Sequence, residues 1–319
     1  MLFTCVHIYR YWCVLLSISV LTGCLDGSDN AFSVGANGCP VPQLNKVTPT
    51  TTIDVLVLKT DDAANKVANN NLDMAVAQAF SVANTTYAQS GVPLQFNHVG
   101  NITSYSPSNN SNSTPPYTYA NNTYHINDKM VETLKKLTNE IFDKDSDTSK
   151  ARDENKADIV VLIRQMHPFY NTCGIAWIPY GHDYNKAAPT SITSLLGNYA
   201  VIVITLDDNV CGGPDGKTFA HELGHLLSLQ HGNPDNDKSP STGIPQYGRY
   251  SYSKGFAQQG VFGTTMVYDF LWDADCELPI FSNPDMAGCD PMLGCGIQNQ
   301  IDAVSTIKDT MGQMSQIFP

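Results

Sequence analysis

The chain has 319 residues, of which 42% are hydrophobic and 15% charged, and it carries a formal net charge of −12. That composition is typical of a water-soluble globular protein, here with Asn, Ser and Thr supplying much of the polarity. No cluster of Lys and Arg is longer than a pair, which argues against nucleic acid as a partner because phosphate contacts need a basic surface.

The first 23 residues have the pattern of an export signal. Arg10 precedes an apolar run, Trp12 to Leu21, that is too short to span a bilayer as a mature helix. The run ends in Leu21-Thr22-Gly23-Cys24, which resembles the lipobox cleaved before the cysteine of bacterial lipoproteins. This favours a lipid on Cys24 and a cell-envelope protein at the outer membrane or cell surface, with an ordinary signal peptide and a secreted product as the alternative.

Residues 24–50 are predicted to be a tether and residues 51–319 one domain. Buried apolar runs and amphipathic segments alternate in the first part of that domain. We predict strands at 53–58, 94–99, 157–163, 174–178 and 200–206, helices at 64–90 and 128–142, and a flexible polar insertion at 104–125. This order, followed by a late helix that begins near Lys217, predicts an α+β domain with a twisted mixed sheet.

An acidic segment in the middle of the chain resembles a calcium-binding loop in part. Asp143, Asp145, Asp147 and Glu154 fall at the first, third, fifth and twelfth positions of an EF-hand loop. Thr148 stands where that loop needs Gly, so a solvated acidic loop is favoured over a Ca²⁺ site.

The most informative segment is His221-Glu222-Leu223-Gly224-His225, followed six residues later by His231. On a helix, two histidines four residues apart share one face and can bind one zinc ion. If the helix ends near Ser228, His231 can return as a third ligand. Three protein ligands leave a position for water, from which Glu222 is placed to accept a proton. The segment therefore predicts a site for one catalytic Zn²⁺ ion. The alternative is a helix whose histidines are ordinary core or surface residues that bind no metal.

A second segment, Thr264-Thr265-Met266-Val267-Tyr268, follows about 35 residues after the third histidine. The combination resembles the metzincin metallopeptidases. The resemblance implies that Met266 forms an apolar floor beneath the metal, whereas ordinary core packing is the usual fate of a methionine. It also implies that Tyr268 is a switchable fifth ligand that hydrogen-bonds the tetrahedral intermediate.

Weaker likenesses extend along the domain from about Ile53 to Met314. They resemble the bacterial peptidyl-Asp metalloendopeptidases and their reprolysin-like relatives, and they include a final helix. The segments are 88–92, 157–162, 173–176, 281–284 and 299–311. This resemblance implies cleavage beside acidic residues. Arg249, Lys254 and Lys238 are candidate cations for such a side chain, although exposed surface positions are the more ordinary interpretation.

The zinc segment departs from the family pattern at two positions. Ser228 replaces a Gly that ends the helix, often with positive φ, and a serine there costs about 1 kcal/mol. We expect a locally adjusted turn that retains zinc. Gly232 follows the third histidine where the relatives usually have Asp.

Six cysteines remain after the signal segment and Cys24, and an even number in an exported chain predicts up to three disulfides. Cys173 with Cys211 is the favoured pair. Cys289 with Cys295, and Cys39 with Cys276, are further possibilities. A Cys39 thiolate that blocks the zinc is the alternative for that residue.

Together these features predict a monomeric zinc endopeptidase that hydrolyses protein or peptide substrates with zinc-activated water and Glu222 as general base. The substrate is expected to pair with an exposed strand edge between Cys173 and Leu206. The alternative is a catalytically impaired binding or adhesion lipoprotein on a metallopeptidase scaffold, for which Ser228 is the reason.

Overall fold

The computed structural model describes residues 34–35, 37–44, 46–61, 63, 71–105, 117–119, 122–124, 130–164, 173–179, 197–206, 216–232 and 248–318. The predicted signal segment and Cys24 lie outside these ranges. Within the described ranges, none of the helices combines the length and the apolar composition that a membrane span requires.

A five-stranded sheet forms the centre of the domain, with the order β2-β1-β5-β7-β6. Neighbouring strands are parallel except β6, which runs antiparallel to β7 at the sheet edge. This confirms the predicted mixed sheet. Its strands are β1 (Thr51–Lys59), β2 (Leu94–Ser104), β5 (Ile159–Ile163), β6 (Gly174–Ala176) and β7 (Val201–Ile204), and β3 (Tyr117–Tyr119) pairs separately with β4 (Asn122–Tyr124).

Helices cover both faces of the sheet because its central strands are apolar on both sides. The helices are α1 (Leu72–Gln89), α2 (Met130–Phe142), α3 (Asp147–Glu154), α4 (Lys217–Leu226), α5 (Asp269–Trp272) and α6 (Ala303–Met314). On strand β1, Val55 and Val57 belong to the core cluster that includes residues of α1, α4 and α6. Leu56 and Leu58, on the other face of the strand, belong to the cluster that includes residues of α2.

The prediction of an acidic loop is wrong at residues 147–154, which form helix α3. The Ser146 side chain caps this helix by accepting from the Ser149 N–H at 2.9 Å. Lys150 Nζ donates to the Asp145 carbonyl oxygen at 2.6 Å. A helix in place of the second half of the loop does not arrange these acids as an EF-hand does.

Other helix bounds differ from the predicted ones. Helix α1 begins at Leu72 with Asn71 as its cap, and residues 64–70 of the predicted helix lie outside the described ranges. The last helix begins at Ala303, where Asp302 accepts from the Ser305 N–H at 2.9 Å. Both starts coincide with a side chain that satisfies the first turn.

A second, three-stranded sheet lies toward the C-terminus, with the order β10-β9-β8. Its strands β8 (Ala257–Gln258), β9 (Phe262–Thr264) and β10 (Cys276–Leu278) enclose a separate apolar cluster. Two disulfides, Cys39–Cys276 and Cys289–Cys295, join this cluster and confirm those two pairings. Cys173 is also disulfide-bonded, and Cys211 lies outside the described residues.

Candidate metal centre

Three histidine side chains converge at the end of helix α4. His221 and His225 share one face of the helix, and the following reversal of the chain places His231 beside them. The Nε2 atoms of His221 and His225 lie 2.9 and 3.0 Å from Nε2 of His231. Within the described ranges, these residues form the one group of three or more His, Cys, Asp or Glu side chains placed to hold an ion. Three imidazoles with remaining open positions are the donor set of a catalytic zinc site.

Backbone carbonyls fix the orientation of two of these rings. Nδ1 of His221 lies 2.7 Å from the carbonyl oxygen of Thr265, and Nδ1 of His225 lies 2.9 Å from that of Leu229. With Nδ1–H donating to a carbonyl, the Nε2 lone pair is available to a metal. Burial lowers the pKa of His221 to about 4 and that of His225 to about 3, so both rings are neutral at physiological pH, as metal ligation requires.

The Glu222 carboxyl group is buried on the same helix that carries His221 and His225. Burial raises its pKa to about 8, and its Oε2 atom has no hydrogen-bond partner in the described part of the chain. An unpartnered buried carboxylate oxygen is costly unless a bound group or water satisfies it. A cation on the three imidazoles, with water in its open position, fits this oxygen and would lower the pKa. The residues present therefore fit the zinc ion that the histidines imply.

Strand β6 approaches Glu222 closely, which the sequence did not reveal. A Cβ atom added to Gly174 would lie 2.6 Å from both Cγ and Oε1 of Glu222. A residue without a side chain therefore allows the sheet edge to pack against this carboxylate. The sequence predicted a strand at 174–178 and a substrate-binding edge in this region, but nothing in a single glycine indicated the contact with Glu222.

Met266 lies beneath the helix that carries the histidines. It is fully buried, and a Cβ atom added to Gly224 would lie 2.7 Å from its sulfur. The ring centroid of Tyr268 lies 4.2 Å from that of His231 and 5.9 Å from that of His221. Burial, and then the charge of Glu222, raise the pKa of Tyr268, so its hydroxyl keeps its proton and remains a donor.

Ser228 adopts the left-handed backbone conformation that the family's glycine would have, with φ of 73°. The Ser228 N–H donates to the His225 oxygen at 2.8 Å, and the Leu229 N–H donates to the Gly224 oxygen at 3.0 Å. These two bonds form a Schellman motif with serine in the usual glycine position. The turn is therefore preserved, and the expected local adjustment does not occur. The Ser228 hydroxyl is buried without a described hydrogen-bond partner.

We expect Ser228→Gly to raise the free energy of unfolding by about 1 kcal/mol, because it removes left-handed strain and an unsatisfied hydroxyl. Ser228→Ala is the matched control, since it removes the hydroxyl and keeps the strained φ. Chemical denaturation of the three proteins should give the largest midpoint for the glycine variant. If the glycine variant were less stable than the alanine variant, the positive φ at position 228 would not be a source of strain.

Gly232 replaces the aspartate of the relatives in a place without room for a side chain. A Cβ atom there would collide with the backbone of Gly255. The Gly232 N–H donates to the Met266 oxygen at 2.9 Å, and its carbonyl accepts from Trp272 Nε1 at 2.7 Å. The segment after His231 is therefore fixed by backbone contacts to the methionine turn.

The cations proposed for acidic substrates are placed as follows. Arg249 Nε lies 2.7 Å from Oδ2 of Asp309 on helix α6, which assigns this side chain to packing of that helix. Lys254 forms a backbone bridge with Gln230. Lys238 lies outside the described residues.

Comparisons with known proteins agree with this geometry. Residues 74–232 match the sequence model of the metallopeptidase family M12B, Reprolysin-like. A peptidyl-Asp metalloendopeptidase of Pseudomonas aeruginosa is 28% identical over 275 residues, which cover 84% of this chain and 40% of that protein. The chain thus spans less than half the length of that relative.

The overall fold also has a counterpart among solved structures. A chain from a structure described as a chaperone–substrate complex aligns with a TM-score of 0.55 and 17% identity, over 86% of this chain and 36% of that one. At this identity the likeness concerns the fold alone. The sequence match includes all three histidines and Glu222, and the structure places the three histidine side chains together around one point. Residues 74–232, which carry the site, are therefore similar to the Reprolysin-like metallopeptidases of family M12B.

Proposed function

We propose that this protein is a zinc-dependent endopeptidase, with His221, His225 and His231 as the metal ligands. The observation that carries the proposal is the convergence of three Nε2 atoms on the helix whose buried Glu222 has a carboxylate oxygen without a hydrogen-bond partner among the described residues. A site that only bound zinc for stability would be closed by a fourth protein ligand. A buried carboxylate next to an open position is instead the arrangement used for hydrolysis.

The chemistry follows from the positions of these groups. Zinc, when bound, supplies a Lewis acid that lowers the pKa of water to about 7. Glu222 takes a proton from the attacking water and then delivers it to the amine leaving group. Its burial excludes competing solvent and keeps its carboxylate directed at the reacting atoms. Tyr268 donates a hydrogen bond to the oxygen that becomes negative in the tetrahedral intermediate.

The substrate backbone is proposed to pair with strand β6. This strand is the last in the sheet order, and no described strand pairs with its outer edge. A peptide added there would lie beside Glu222, because Gly174 of β6 contacts that side chain. The pairing would hold the scissile bond next to the general base.

Tyr268→Phe should reduce kcat by about 10-fold to 100-fold with little change in KM, because the hydroxyl acts mainly on the developing charge and zinc shares that task. The aromatic contact with His231 is kept in phenylalanine. Steady-state kinetics on a quenched fluorescent peptide measure the effect. An unchanged kcat would exclude the tyrosine from the reaction.

A preference for acidic residues at the cleavage site is a finer proposal. It is supported by the name of the Pseudomonas aeruginosa relative, a peptidyl-Asp metalloendopeptidase. Mass spectrometry of a peptide mixture digested with the purified protein tests it. Enrichment of Asp or Glu on one side of the cleaved bonds is expected, and cleavage without enrichment would remove the preference while leaving the peptidase assignment intact.

We also propose that the protein is exported and carries a lipid on Cys24. Support comes from the apolar run before Leu21-Thr22-Gly23-Cys24 and from the disulfides of the domain. Because Cys39 is bonded to Cys276, the reduced thiolate that would block the zinc does not form in this state. Mass spectrometry of the N-terminal peptide from a bacterial host distinguishes an acylated Cys24 from an ordinary signal-peptide product.

Hydrolysis of casein by the purified protein tests the main proposal. Activity should disappear with a zinc chelator and return when zinc is restored, with about one ion per chain. If the protein binds one zinc ion per chain but cleaves neither casein nor a peptide mixture, the endopeptidase proposal is wrong. The alternative, a catalytically impaired binding or adhesion lipoprotein, would then hold.

A further inference from the structure

Several exposed apolar side chains belong to segments of the chain that take no part in the metal centre. Of the nine large hydrophobic residues that are exposed among the described residues, five belong to two short segments, 34–44 and 287–295. Met292 is the most exposed, at 88%. These five residues, which we call the loop face, are Val34, Val41, Leu44, Met292 and Leu293.

Covalent and backbone contacts hold the two segments of the loop face side by side. The disulfide Cys39–Cys276 attaches the first segment to the domain. The Gln43 N–H donates to the Ala287 oxygen at 2.8 Å, and a Cβ atom on Gly288 would collide with the Val41 oxygen. The two segments that carry the five side chains therefore lie against each other at residues 41–43 and 287–288.

The tip of the second segment is built to display its apolar side chains. The Cys289–Cys295 disulfide closes the loop. The Asp290 carboxylate accepts from the N–H groups of Met292 and Leu293, both at 2.8 Å. These bonds order the loop before any partner binds, so the cost of ordering it is already met.

The loop face is nearly neutral on a strongly acidic protein. Segments 34–44 and 287–295 contain one charged residue, Asp290, in a chain of net charge −12. A neutral, apolar surface suits the boundary between headgroups and acyl chains.

We propose that the loop face rests on a lipid bilayer, with Met292 and Leu293 inserted at its surface. The proposal rests on the proposed lipid attachment at Cys24. Cys24 precedes Val34 by ten residues, and a fully extended chain of ten residues is at most about 35 Å long. An anchor so close in the chain brings the first segment, and the loop fixed to it, near the membrane. Insertion of the loop would then orient the domain on the lipid.

Tryptophan fluorescence of the exported full chain tests this contact. Met292→Trp places a fluorophore at the loop tip, and the signal of the parent protein is subtracted. The matched control is Met74→Trp, an exposed site 48% accessible on the first turn of α1. It lies about 24 Å along the helix from Ser90, which contacts the C-terminal part of the domain. Retained casein hydrolysis in both variants shows that the fold and the proposed activity are intact.

With phosphatidylcholine vesicles that contain brominated lipid, we expect quenching at position 292 and none at position 74. The paired substitutions Met292→Asp and Leu293→Asp should weaken vesicle binding of the unacylated protein by about tenfold. Equal quenching at both positions of an acylated, vesicle-bound protein would overturn the proposal. Loss of a lipid-independent dimer in the paired aspartate variant would overturn it too, by assigning the loop face to a second copy.

The two proposals fail separately. If mass spectrometry finds no lipid on Cys24, the anchoring proposal is wrong, and the same vesicles are mixed with the unacylated protein. Quenching at position 292 would then uphold the loop face on its own, and its absence would reject it. Neither result changes the peptidase assignment, which the casein assay measures independently.

Discussion

Glu222→Gln should lower kcat for a protein substrate by about 10²- to 10⁴-fold, the range lost with a general base. Glutamine has nearly the same shape, but its amide cannot accept the proton of the attacking water. The three imidazoles are unchanged, so zinc content should stay at the parent level. Zinc analysis, thermal unfolding and peptide kinetics on the same preparations measure these three quantities.

Comparison with a histidine variant sharpens that experiment. His225→Ala removes one of the three converging Nε2 atoms and should lower zinc content together with activity. Loss of activity with full zinc content is therefore particular to Glu222. If Glu222→Gln retained the parent turnover, the carboxylate would have no role in proton transfer and the endopeptidase mechanism proposed above would fail.

Gly174→Ala should reduce kcat/KM by about 100-fold without removing any group from the site. The new methyl carbon would lie 2.6 Å from Cγ and Oε1 of Glu222, so the carboxylate or the sheet edge must move. A displacement of about 1 Å from the reacting geometry commonly costs about this much. The same movement disturbs the edge on which the substrate is proposed to pair.

Gly312→Ala is the matched control, because a Cβ atom there would meet no atom of the described residues within 4 Å and the residue lies within helix α6. It should leave activity unchanged and slightly increase stability, as alanine favours a helix. Circular dichroism and zinc analysis should show that Gly174→Ala is folded and metal-bound. Full activity in this variant would mean that Glu222 can relocate without affecting catalysis.

Much of the metal centre is encoded by local spacing. His221 and His225 share a helical face because four residues make about one turn. The sequence also predicted β1, β5 and β7 from their apolar runs, because strands buried on both faces are almost wholly hydrophobic. These features depend on neighbours in the sequence, and periodicity reports them directly.

Element ends and short polar elements were harder to predict. The acids at 143–154 resembled a solvated loop, yet the Ser146 cap and packing of Thr148 against Glu140 support helix α3. Helix α6 begins at Ala303 because Asp302 caps it. A side chain that can cap a helix can also stabilise a turn, and tertiary contacts decide between them.

The sequence by itself determined the chemical type of the site, through the spacing of two histidines and a glutamate on one helix and the third histidine just beyond it. Only the tertiary structure decided that Gly174 lies against Glu222, that Met266 lies under Gly224, and that Ser228 takes the conformation of a glycine. Among the pairings that six cysteines allow, the tertiary structure also decided that Cys39 bonds to Cys276 and Cys289 to Cys295. Such contacts join residues far apart in the chain, and they are set by close packing of whole elements, about which local periodicity carries no information.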